Sequence, residues 1–225
     1  MPLLKSNLSR VVPRVNLTIE TSWDDGSIED LKIVELLKKY EIRGTFYITV
    51  DFVGTPGHLT WEQIKEIDKH PLFEIGSHTI THPMDLKQLY DEQQEIEIKS
   101  SKEMLEAVVG HPVTKFCYPR GRYDQRAIER VIEAGYFEAR TTKVGRITKG
   151  NPFTLDTTVH VYNERTEYEG MGWVEYGKRK LKSAKEDPTS SVFHLWGHGW
   201  EIEKNHEWEN LENFLIHIKN NVQVR

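Results

Sequence analysis

The chain has 225 residues, with 35 acidic against 30 basic side chains and a formal charge of −5, which excludes the electrostatic footprint of a nucleic-acid or acidic-membrane binder. Its 37% hydrophobic and 10% aromatic content can fill a real core, and its length suits one large domain over residues 1–225. Cys117 is the single cysteine, so neither an internal disulfide framework nor a cysteine-rich metal site is available.

Met1 to Val15 carries Lys5, Arg10 and Arg14 with no long apolar run between them, so the sequence predicts no secretory leader there. No segment approaches the ~20 apolar residues of a membrane span. A cytoplasmic location is the resulting expectation.

From Val15 onward, strand-like and helix-like pieces alternate. Val15 to Ser22 alternates polar and apolar residues as a strand, and Ile28 to Tyr40 sets Leu31, Val34 and Leu37 at helical spacing. A β-rich run over Gly44 to Thr49 precedes a helix over Thr60 to His70, with Thr60 as N-cap and Gln63 three residues on. Phe73 to Gly76 is a short strand, and Leu89 to Val109 is the longest helical pattern in the chain. A strand over Thr114 to Tyr118, a helix over Gln125 to Ala134 stopped by Gly135, and a strand over Glu138 to Thr141 follow. Thr154 to Tyr162 is rich in β-branched residues, Val174 to Ala184 is helical, Ser191 to Leu195 is a strand, and Trp208 to Val222 closes as a helix. About seven strand–helix units predict an α/β fold with a parallel sheet, closed into a barrel or left open, its site at the carboxyl ends of the strands.

Five residues near those strand ends suggest chemistry. His78 and His82 are four apart, a spacing that brings two imidazoles to one face if the turn is helical, and Pro83 pins the backbone just after them. Asp24 and Asp25 precede Gly26, so one carboxylate can ligate an ion while the other faces its water. An aspartate and two histidines leave an open position, as catalytic zinc requires, and such an ion activates water and polarises a carbonyl. His198, in Leu195-Trp196-Gly197-His198, supplies a further imidazole to act as an acid.

Thr21-Ser22-Trp23-Asp24-Asp25-Gly26 resembles the first motif of the polysaccharide deacetylase family, and Ser77-His78-Thr79-Ile80-Thr81-His82 resembles the second. Tyr118-Pro119-Arg120-Gly121-Arg122-Tyr123 is similar to the third motif and Leu195 to His198 to the last, in the family's order. The resemblance implies a distorted (β/α) barrel and a hydrolase that removes an N-acetyl group from an acetylated oligo- or polysaccharide. It implies Asp25, His78 and His82 as ligands of a divalent metal, zinc first, with cobalt or nickel as alternatives. Asp24 is then the general base on the water, His198 the general acid, and the Arg120 N–H a donor to the oxyanion. Trp23, Tyr118, Tyr123, Trp196 and Trp200 lie beside these motifs as candidate sugar contacts. A C–N hydrolase on a small non-sugar amide and a silent carbohydrate-binding domain of the same fold are the rival readings.

Two departures from the family pattern stand out. Cys117 occupies the place of the arginine that pairs with the catalytic aspartate, leaving Arg120 or Arg122 to supply the charge. The Asp-x-x-Asp-Trp-like fourth motif is missing, so Asp156 or Glu201 is expected to tune His198. The other histidines, His160 among them, are expected to be structural or exposed.

Overall fold

The computed structural model describes residues 17–222, so Val15 and Asn16 of the predicted first strand lie outside the described residues. Its strands are β1 (Thr18–Asp25), β2 (Gly44–Ile48), β3 (Phe73–Ser77), β4 (Lys115–Cys117), β5 (Glu138–Arg140), β6 (Val159–His160) and β7 (Val192–Gly197). The helices are α1 (Asp30–Tyr40), α2 (Trp61–Asp68), α3 (Asp91–Glu95), α4 (Ser101–Val109), α5 (Gln125–Glu133), α6 (Trp173–Glu186), α7 (Gly199–Lys204) and α8 (Trp208–Asn221).

All strand pairs are parallel, in the order β5-β4-β3-β2-β1-β7-β6. Taken as a circle, this is the order of a barrel opened between β5 and β6. Residues 155–158 span part of that opening: Leu155 N donates to Ala139 O at 2.8 Å, and Thr158 N donates to His194 O at 2.9 Å. The fold is therefore a distorted α/β barrel. The spanning role also explains why the predicted strand over Thr154 to Tyr162 shrinks to Val159–His160.

Local signals account for most of the elements. Thr60 and Gln63 form a reciprocal capping box at the start of α2, which satisfies two orphan N–H groups. α1 buries Ile33, Val34 and Leu37, and it packs on α8, which buries Phe214, Leu215 and Ile218. Each such side chain contributes about 1.5–3 kcal/mol on burial, which holds the helical layer to the sheet.

Three expectations change. β1 runs on through Asp24 and Asp25, which pair with Tyr47 and Ile48, so both aspartates lie inside the strand. The predicted long helix is interrupted by a π-helical turn at Ile96–Ser100. α7 follows β7 with only His198 between them, too abruptly for a turn signal to announce it. No helix among the described residues is long and apolar enough to cross a membrane.

Candidate metal centre and active site

Alternation along β1 sends Glu20, Ser22 and Asp24 to one face. From there Ser22 Oγ meets His194 Nε2 of the neighbouring β7 at 2.8 Å, and Asp24 pairs with Arg140 of β5 across the barrel. At the end of the strand Asp25 adopts a left-handed φ of 78°, ahead of Gly26 at 75°. The reversal turns the second carboxylate toward the loop after β3.

The Asp25 carboxylate is held by one oxygen and open at the other. Oδ2 accepts a hydrogen bond from Trp200 Nε1 at 2.9 Å. Oδ1 is buried without a hydrogen-bond partner and stands 3.7 Å from His78 Nε2 and 3.6 Å from His82 Nε2. His78 Nδ1 lies 2.8 Å from the Cys117 carbonyl, which can only accept, so the proton is on Nδ1 and the Nε2 lone pair faces Asp25. Burial, opposed by Asp24 and Asp25, lowers the His78 pKa; burial and the neighbouring His78 bring His82 to about 4. Both rings are therefore neutral near pH 7, the state a metal ligand needs. The three ligand atoms lie within 4.8 Å of one another, so the donor set fits a divalent ion.

The turn that brings His78 and His82 together is not helical. Thr79 and His82 have left-handed φ values of 69° and 53°, and loop backbone, not helical periodicity, sets the rings 4.9 Å apart.

Asp24 is gripped on both oxygens. Arg140, at 1% exposure, donates through Nη2 to Oδ1, while the Cys117 thiol donates to Oδ2 across 3.6 Å. Burial alone would raise the Asp24 pKa, but the Arg140 charge, with His78 and His198, outweighs it and holds the carboxyl well below the usual range. Burial pushes the Cys117 thiol up, which keeps its donor proton in place. Arg140 lies between the rings of Tyr47 and Trp196, 5.1 and 4.8 Å from their centroids.

This ion pair corrects the expectation that Arg120 or Arg122 supplies the charge. Arg122 Nη1 donates to Met84 O at 3.2 Å, and Arg120 sits exposed at φ 55° in the turn after β4. Arg140 belongs to no recognisable motif. Its one sequence signal is a lone arginine in an otherwise strand-like run.

On the far side, His198 Nδ1 bonds Glu201 Oε2 at 3.1 Å from the first turn of α7. The same Oε2 lies 2.9 Å from His160 Nε2. Arg165 donates to His160 Nδ1 at 3.2 Å, so the His160 proton sits on Nε2. Burial drives His160 down to about 4. Glu201 is opposed by burial, but His160 and His198 hold it at about 2. Burial disfavours the His198 imidazolium, yet the Glu201 bond and the Asp25 and Asp24 charges leave its pKa raised. Glu201, not Asp156, faces His198: Asp156 accepts from Thr141 Oγ1 at 2.9 Å and Arg146 Nε at 3.1 Å. His160, expected to be structural, is the missed member of this cluster, stacked 3.8 Å from Trp196.

The aromatic candidates divide by exposure. Trp23 and Tyr118 at 0% and Trp196 at 2% are closed off in the core and offer no face to a ligand, contrary to expectation. Tyr123 is half-buried, stacked on Tyr118 at 4.4 Å, and Trp200 is 40% exposed beside His198.

The polysaccharide deacetylase family model matches residues 13–139, and the chain belongs to that family. It is similar, at 32% identity over 129 residues, to YxkH of Bacillus subtilis (strain 168), a curated relative named for polysaccharide deacetylation. That match covers 57% of this chain and 46% of YxkH, so the chain spans about half the length of the curated relatives it matches. Among solved structures it resembles Streptococcus pyogenes deacetylase PplD in complex with acetate, at 26% identity and TM-score 0.58 over 61% of this chain and 62% of that one. Wild-type BA3943 of Bacillus anthracis, described as a CE4 family pseudoenzyme, matches 94% of this chain and 63% of its own at TM-score 0.62 and 16% identity, a likeness of fold alone.

Proposed function

We propose that this chain is a metal-dependent N-deacetylase that hydrolyses an acetamido group on an oligo- or polysaccharide, releasing acetate and leaving a free amine. The observation that carries this reading is Asp25 Oδ1, buried and unpartnered, facing two neutral imidazole nitrogens at 3.6 and 3.7 Å. Asp25, His78 and His82 would hold zinc, or cobalt or nickel in its place, with a coordination position left open. When bound, such an ion supplies Lewis acidity and lowers the pKa of a neighbouring water toward ~7.

Asp24, ionised and oriented by Arg140, takes the proton of the attacking water. His198, whose imidazolium Glu201 favours, gives a proton to the amide nitrogen as the C–N bond breaks. The Arg120 N–H donates to the developing oxyanion, and Trp200 and Tyr123 present rings to the sugar. The acetate bound in PplD belongs to the product class expected here.

Acetate release from N-acetylated oligosaccharides, alongside metal analysis of the same samples, tests the reading. Asp25→Ala and His78→Ala are expected to lose the metal. Asp24→Asn is expected to keep it and lose ~10²–10⁴ of turnover. Full turnover by Asp24→Asn, or by chelated protein, would sink the assignment.

A further inference from the structure

The loop carrying His78 and His82 is gripped from two sides. On one side its carbonyls are taken by the segment after β2: Val50 N donates to Thr79 O at 3.2 Å and Asp51 N to Ile80 O at 2.9 Å. On the other side its amides meet a single carboxylate. Glu97 Oε2 accepts from Ile80 N at 2.8 Å and Thr81 N at 2.9 Å, and Glu97 Oε1 accepts from Thr81 Oγ1 at 2.6 Å. Thr79 Oγ1 also accepts from His82 N at 3.2 Å, but that bond lies within the loop and cannot fix it to the barrel.

Glu97 reaches the loop from the π-helical turn Ile96–Ser100. Neighbouring residues of an α-helix point about 100° apart, so Glu97 and Ile98 meet different surroundings. A π turn carries one extra residue in its hydrogen-bonded loop. Here Glu97 is 8% exposed and Ile98 0%: Ile98 fills the core while Glu97 faces the loop. Such π turns are frequent at functional sites. This one breaks the longest helix of the chain at the position of the loop-binding carboxylate.

We propose that Glu97 is the positioning residue of the metal centre. Its carboxylate fixes the Ile80–Thr81 backbone, and thereby the left-handed turn that aims His78 Nε2 and His82 Nε2 at Asp25 Oδ1. The inference rests on the metal reading above and adds a residue to it. Glu97 touches neither the ion nor the substrate and acts through the two histidines. Its removal leaves two amides without their acceptor and frees the loop to relax, which separates the ligands without altering them.

Cobalt(II) is the probe, because its visible absorption reports both affinity and ligand geometry. Glu97→Ala is expected to weaken cobalt binding by about 10–100-fold, the usual effect of losing an outer partner of a metal ligand, and to change the absorption spectrum. Glu97→Gln keeps one carbonyl acceptor for the two amides, and its affinity should fall between Glu97→Ala and the parent chain. Circular dichroism and the thermal transition of the metal-free variants monitor the fold. If Glu97→Ala binds cobalt with the parent affinity and spectrum, the proposal is overturned, even if its thermal midpoint drops, since that pattern marks a purely structural role. Should Glu97→Ala fail to fold, Glu97→Gln and Thr81→Val carry the test, and parent-like binding in both overturns it. An unmutated chain that binds no cobalt, zinc or nickel would instead bring down the metal reading itself, an outcome visible before any variant is made.

Discussion

Cys117 on β4 and Arg140 on β5 are register partners across a parallel ladder, and both reach the carboxylate of Asp24. The thiol takes one oxygen of that carboxylate, and the guanidinium from the adjacent strand takes the other. Arg140 is placed to do this because it is buried between Tyr47 and Trp196, with Nη1 donating to Thr141 O at 3.0 Å.

Removing Arg140 strands a buried carboxylate. Arg140→Met should cost about 3–5 kcal/mol of stability, read by urea unfolding, because the Asp24 charge loses its counter-ion. Turnover should fall by about 10²-fold as the base loses its orientation. Adding Cys117→Arg to Arg140→Ala should recover part of that turnover, and no recovery would mean that position 117 cannot reach Asp24 with a longer side chain.

Glu201 raises the pKa of His198 against the effect of burial. A general acid works while it is protonated, so a raised pKa extends activity toward alkaline pH. Glu201→Gln removes the charge, lowers the His198 pKa and should move the alkaline limb of kcat/KM to lower pH. An unmoved limb would show that another group sets it.

The same cluster predicts how stability responds to acid. His160 titrates at about 4 in the folded chain against an ordinary 6.5. The unfolded chain therefore binds more protons between those values, and stability declines as pH falls through that window. Glu201, at about 2 against 4.5, contributes stability that is present above 4.5 and is lost as pH falls toward 2. Urea unfolding at pH 7, 5 and 3 should show a continuous loss, with the pH 5-to-3 step reduced in Glu201→Gln.

Trp200 links α7 to Asp25, the proposed metal ligand, through its bond to Oδ2. Trp200→Phe keeps an aromatic face and loses that bond, so metal affinity should fall by about 10-fold with KM nearly unchanged. Trp200→Ala should also raise KM, which oligosaccharide kinetics would show.

Local patterns were enough for most of the elements and for the short motifs. The capping box of Thr60 and Gln63, the apolar stripe of α1 and the strand–helix alternation are relations within a few residues, and chain periodicity reports them directly. Asp24, Asp25, His78, His82 and His198 stand out for the same reason, each in a short motif near a strand end. Arg140 beside Cys117, His160 on Glu201 and Glu97 under the histidine loop carry no such mark. The first two pairs are separated by 23 and 41 positions and the third partnership depends on a π turn. They meet because parallel pairing sets the register of strands distant in sequence, and because the closing barrel turns buried charges toward one another. Residue types and local spacing were written in the chain; the partner that orients each reacting group was decided by register and packing.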